Sequence, residues 1–232
     1  MSTINATPTT KRQDLREDTM VTAYARTWDF YDKNKGLVVG AGVALVVLIA
    51  ALIGFGFMQQ QRGVDAQSLL AQALPAYETG RYQEALDGSD AAPGLLEVIR
   101  EYGSSDAGNL AAFYAADAYF RLGQYDEALR YFDQYDVDDS LVGASALSGQ
   151  AKVHEIQGNF DRAGDLYRRA AQTYEDPLTS PVYLMQAGRA YEKAAAFGQA
   201  QAAYELLLDA YPEATQAAEA QILSARAAAQ AS

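Results

Sequence analysis

The sequence predicts an all-α protein: one membrane-spanning helix near the N-terminus, then an α-solenoid of helix pairs. Three observations predict it. Residues 36–58 form an uncharged apolar run. A fixed spacing of small, aromatic and glycine positions recurs through the rest of the chain. Half of the 232 residues are hydrophobic and none is cysteine, so the core must come from packing rather than disulfides.

Residues 1–19, "MSTINATPTTKRQDLREDT", lack apolar periodicity and read as a disordered tail. In "YARTWDFYDKNKG", Tyr24, Trp28 and Tyr31 share one helical face, a pattern that suits a short interfacial helix or the aromatic belt of an anchor. The run "GLVVGAGVALVVLIAALIGFGFM" follows at 36–58. At 1.5 Å per residue it spans roughly 35 Å, against a hydrocarbon core of about 30 Å. A cleaved signal peptide is disfavoured by the long leader before it and by the lack of a small-x-small site in "QQQRGVDAQS". Gly36 and Gly40 allow close helix packing there. Arg26, Lys33 and Lys35 precede the run closely and only Arg62 follows closely. By the positive-inside rule, residues 1–35 are expected in the cytoplasm and residues 59–232 on the trans side, in a bacterium the periplasm.

The solenoid rests on aligned columns. "RLGQYDEALRYF" sets Gly123, Tyr125, Ala128 and Phe132; "GNFDRAGDLY" repeats them as Gly158, Phe160, Ala163 and Tyr167. "AAFGQAQAAY" gives Ala195, Phe197, Ala200 and Tyr204, and "GRYQEALDGS" gives Gly80, Tyr82 and Ala85 but ends on Ser89. Seven residues before each turn position stand Ala73, Ala116, Ala151 and Gly188; four before it stand Tyr119, His154 and Tyr191 in the last three copies. Each copy therefore reads as two amphipathic helices around a tight turn. Glycine serves the turn, the small residues mark close crossings, and the aromatics fill the flanks. Pro75 lies inside the first helix of the first copy, and a helix-interior proline costs roughly 3 kcal/mol, so a kink or break is expected there. "DGSDAAPG" interrupts that copy's second helix, and "GLLEVIREYG" (94–103) is a further amphipathic helix. Three clearer pairs run from about Asn109 to Tyr211, with Ser180 and Pro181 as N-cap and first turn of the last. "TQAAEAQILSARAAAQ" closes the end.

This spacing resembles the tetratricopeptide repeat (TPR). With the stub and anchor, the chain resembles the YfgM-like family of ancillary Sec translocon subunits. The residues that carry the likeness are "WDFYDKNKGLVVG", "IREYGSSDAGNLAAFYAADAYFRLGQYDEAL" and "SPVYLMQAGRAYEKAAAFGQAQAAYELLLDAYP", across residues 24–215. The resemblance implies a single-pass protein of the bacterial inner membrane. Its partners would be proteins: Sec translocon components, membrane-anchored chaperones and translocating polypeptides. A membrane-tethered scaffold for envelope assembly or regulation is the alternative.

Charge and motifs narrow the function class. Residues 59–232 carry twelve Lys/Arg against twenty-five Asp/Glu, which repels nucleic acid. His154, the lone histidine, sits in a tyrosine column and reads as packing rather than as a base. "GASALSG" lacks a nucleophile-elbow spacing. "DQYDVDDS" (133–140) lacks the spacing of a calcium loop. No phosphate loop or metal-ligand cluster is visible. The expectation is a non-enzyme with no cofactor, no metal and no small-molecule substrate.

In the resembled repeat family the first helix of each pair lines the concave face. That implies a groove of Leu110, Phe113, Asp117 and Phe120, then Ser148, Lys152 and Glu155, then Met185, Arg189 and Glu192. The pairs Phe113 with Asp117, Ser148 with Lys152, and Met185 with Arg189 do not make a carboxylate clamp. An apolar wall beside mixed charges suits extended, partly hydrophobic segments. Burial of Phe113 and Phe120 against the helix at 94–103 is the competing expectation.

Overall fold

A computed structural model describes residues 33–231, and among these ten helices account for nearly all the regular structure. The expected tail and the interfacial stretch around Trp28 lie outside the described residues. The chain divides into two compact units, the first ending at Gln59 and the second starting at Gln60.

The first helix, α1, is Lys35–Glu78. It contains an eighteen-residue window of mean hydropathy 2.8 with no residue buried, long and apolar enough to cross a membrane. In the second unit, α1 presents Ala66, Leu70 and Ala73 to the core. Pro75 does not break the helix, which continues to Glu78. Only three helical residues follow the proline, and Pro75 itself is exposed, so water can serve the carbonyl that its missing N–H leaves unbonded.

The first pair closes with α2 (Tyr82–Asp87). The expected interruption is a small antiparallel hairpin, β1 (Gly88–Ser89) and β2 (Ala92–Pro93), with Gly88 opposite Pro93 and Ser89 opposite Ala92. Then come α3 (Leu95–Tyr102), α4 (Asp106–Arg121), α5 (Tyr125–Gln134), α6 (Leu141–Ile156) and α7 (Phe160–Thr173). The chain ends in α8 (Ser180–Lys193), α9 (Phe197–Ala210) and α10 (Ala217–Ala231). Ser105 and Ser140 cap α4 and α6, each hydroxyl accepting the N–H of the glycine three residues on at 3.1 Å.

Four turns are built alike. Gly80, Gly123 and Gly158 hold φ of 76°, 76° and 80°, and Ala195 holds 58°. In each, the turn residue donates its N–H three residues back and the next residue donates five back, as Gly123 to Phe120 and Gln124 to Tyr119. This is the Schellman closure, which satisfies the last carbonyls of the first helix and reverses the chain.

The small columns are fully buried. Ala85, Ala128, Ala163 and Ala200 are 0% exposed, as are Ala116 and Ala151. Gly188 lies under the Tyr204 ring, so a methyl there would overlap it. Two apolar clusters result. One joins α1 to α5 and takes Ala146 and Val153 from α6. The other joins α7 to α10 and takes Leu147 and Ala151 from the same helix.

The expected N-cap of α8 moves by one residue. Thr179 occupies the cap position and Ser180 begins the helix, fully buried. Its hydroxyl accepts the Asp176 N–H at 2.9 Å and reaches the Ala171 and Tyr174 carbonyls at 3.2 Å. It staples the end of α7 to the start of α8, and the Asp176 carboxylate instead takes the N–H groups of Leu178 and Thr179.

Candidate partner-binding cleft

The first helices α4 and α6, with α5 behind them, enclose a cleft of about 170 Å³. Phe113, Phe120 and Phe132 wall it, and Asp117, Ser148 and Lys152 supply its polar groups. The helical period places Phe113, Asp117 and Phe120 on one face of α4, and Ser148 and Lys152 one turn apart on α6.

The rings are fixed by one another. Phe113 packs edge-on to Tyr114 and Phe132 and tilts against Tyr135, with centroids 5.5, 6.3 and 6.0 Å away. Phe120 tilts on Tyr125 at 5.7 Å. Both phenylalanines are half-buried and pack against the first core cluster, which includes Leu95, Val98 and Ile99 of α3, and their aromatic contacts lie along α4 and with α5 and the residue after it. Gly149 lets Phe132 lie against α6, because a methyl there would strike the ring.

The charges differ in freedom. Asp117 accepts hydrogen bonds from Tyr77 Oη at 2.5 Å and from Arg121 Nε. Burial, then Asp117, holds the Tyr77 phenol well above its usual range. Lys152 is exposed and forms no ion pair with a described residue.

The other expected groove residues are placed otherwise. Leu110 packs half-buried against the first core cluster. Glu155 accepts from Tyr167 Oη at 2.8 Å and from Lys193 Nζ at 2.9 Å. Met185 is buried, 3% exposed. Arg189 pairs with Glu219 at 2.8 Å and Glu192 with Arg226 at 2.7 Å, so α10 neutralises both. Ionic contacts thus join α6 to α8 and α8 to α10, while Tyr77 joins α1 to α4. His154 is half-buried with Nδ1 unpartnered, and burial, then Arg162, lowers its pKa.

The structure adds Phe132, Ser145, Gly149 and Tyr183 to the cleft. Phe132 belongs to the repeat's aromatic column and was findable on that signal. Tyr183 reaches the cleft through the packing of α8, which no local pattern encodes.

No protein-family model matches the chain, and no curated protein matches it. Among solved structures, it is similar to the TPR-like repeats of a protein from Podosopora anserina described as a kinesin light chain. The TM-score is 0.51 at 16% identity, over 71% of this chain and 86% of that one. A point-substituted form of the same repeats gives the same TM-score and identity over 85% of its chain. The repeat domain has a TPR-like fold. At this identity the likeness concerns fold alone.

Proposed function

We propose that this chain is a membrane-anchored protein–protein interaction module. Residues 36–58 form the anchor, residues 1–35 stay in the cytoplasm, and residues 59–232 act on the trans side. TPR-like solenoids present extended concave surfaces to protein partners. The observation that carries the reading is the Phe-walled cleft with Lys152, which pairs with no described residue, beside it. It has room for one large apolar side chain of an extended segment, with a polar or charged group of that segment reaching Lys152.

The more specific proposal is an ancillary subunit of the Sec translocon that contacts membrane-anchored chaperones or emerging polypeptides. The support is the sequence resemblance together with the charge asymmetry around residues 36–58. The test is affinity isolation of the full chain from bacterial membranes in mild detergent, beside the Phe113→Ser/Phe120→Ser variant. Translocon components lost in the variant, with thermal stability kept, support the proposal. Recovery of cell-wall or outer-membrane machinery favours a scaffold for envelope assembly. Partners retained in full by the variant place the site elsewhere.

A further inference from the structure

A second hollow lies among α7, α8 and α9, contributed mostly by second helices of the repeats, whereas the cleft is formed mostly by first helices. Its volume is about 320 Å³. Ala171, Leu184, Leu206, Ala210 and Tyr211 supply its apolar surface, and polar surface of about equal extent includes Gln172 and Glu175. Leu206 remains 36% exposed, large and apolar without a cover. Glu175 is exposed and has no ion pair among the described residues. Asp209, beside Ala210 in the chain, and Glu213, two residues after Tyr211, are both exposed. None of the lining residues is basic. A hollow with five apolar lining residues, the exposed Glu175 beside them and no basic residue is complementary to an apolar side chain with a cation beside it.

We propose that this hollow is a second docking site. It takes a leucine- or phenylalanine-sized side chain from a partner polypeptide whose flanking residues are lysine or arginine. Burial of the apolar side chain supplies the affinity. Glu175, as an exposed carboxylate with no ion-pair partner among the described residues, supplies a charge-assisted bond. The acidic excess of the domain speeds the encounter and rejects acidic sequences. The site is separate from the α4–α6 cleft and does not depend on that cleft being occupied, so one chain can hold two partners.

The test uses the full chain in phosphatidylcholine nanodiscs, with empty nanodiscs as the blank. Three fluorescein-labelled octapeptides are compared by anisotropy. The first has one Phe between Lys-Arg pairs; the second replaces each Lys and Arg by Glu; the third replaces Phe by Ser. The first is expected to bind at least about tenfold more tightly than the others. Ala210→Trp, which fills the hollow from an exposed position, abolishes that binding. Glu175→Lys weakens it about tenfold and needs no change in packing. Phe113→Ser/Phe120→Ser leaves it intact. Absent binding of the first peptide, equal binding of the acidic peptide, or full binding by either Ala210→Trp or Glu175→Lys overturns the proposal. If only the cleft variant loses the peptide, the cleft binds it and the second site is wrong.

Discussion

Ala195 adopts a left-handed φ of 58° where its three counterparts are glycines. A Cβ in that region costs roughly 1–2 kcal/mol, while glycine pays a smaller entropic penalty. Ala195→Gly is therefore expected to stabilise the repeat domain by about 1 kcal/mol, a rise of about 2–4 °C in Tm by calorimetry. Gly123→Ala, at a φ of 76° with open space around its Cα, is expected to lose about as much. The turn was legible because the column around it is complete even where the glycine is missing. A second prediction concerns crossings. Ala128 and Ala163 are 0% exposed. Substituting leucine at either is expected to cost about 1–3 kcal/mol through overpacking, measured by urea unfolding. Unchanged midpoints would mean that the helices do not cross closely there.

Helix pairs are joined by buried tyrosines that hydrogen-bond to acids on a neighbouring helix. Tyr167 reaches Glu155, and Tyr191 reaches Asp165 at 2.7 Å. Burial, then the bonded carboxylate, raises the Tyr167 pKa above its usual range and pushes Tyr191 up to about 12. An unfolded tyrosine ionises near 10. Below pH 10 the bonds contribute fully; above it the unfolded chain releases protons that the fold retains. Stability is therefore lost as pH rises from about 10 through 12. Thermal melts across pH 8–12 should show this fall, and Tyr191→Phe should make it shallower. A slope identical in that variant would remove Tyr191 from the account. The tyrosines were legible as columns, but their acids were not: Glu155 precedes its repeat's turn position by three residues, whereas Asp165 lies seven beyond it. Only the packed helices show which acid each hydroxyl finds. The break expected at Pro75 does not occur for a related reason, since the proline's cost depends on how much helix follows and on whether water reaches the freed carbonyl.

Over the whole molecule, the order of elements was readable because small and aromatic columns recur with a period that a solenoid imposes. The cleft was readable only in part. Residues on single helix faces, such as Phe113 and Asp117, followed from the 3.6-residue period. The engagement of Arg189 and Glu192 by α10 did not, because it depends on where the last helix comes to rest. The division of the core sets how the domain comes apart. Helix α6 gives Ala146 and Val153 to one apolar cluster and Leu147 and Ala151 to the other, and Val137 beside it packs on both. It is a shared wall between two rooms. If α1–α5 or α7–α10 opens alone, the other half still shields one side of α6, so its amides reach solvent only when both halves have opened. Deuterium should enter α2 and α10 early and α6 last, in a sequence spread over decades of time. A single common exchange time for all helices would instead describe one indivisible room, in which no partly open form ever meets solvent.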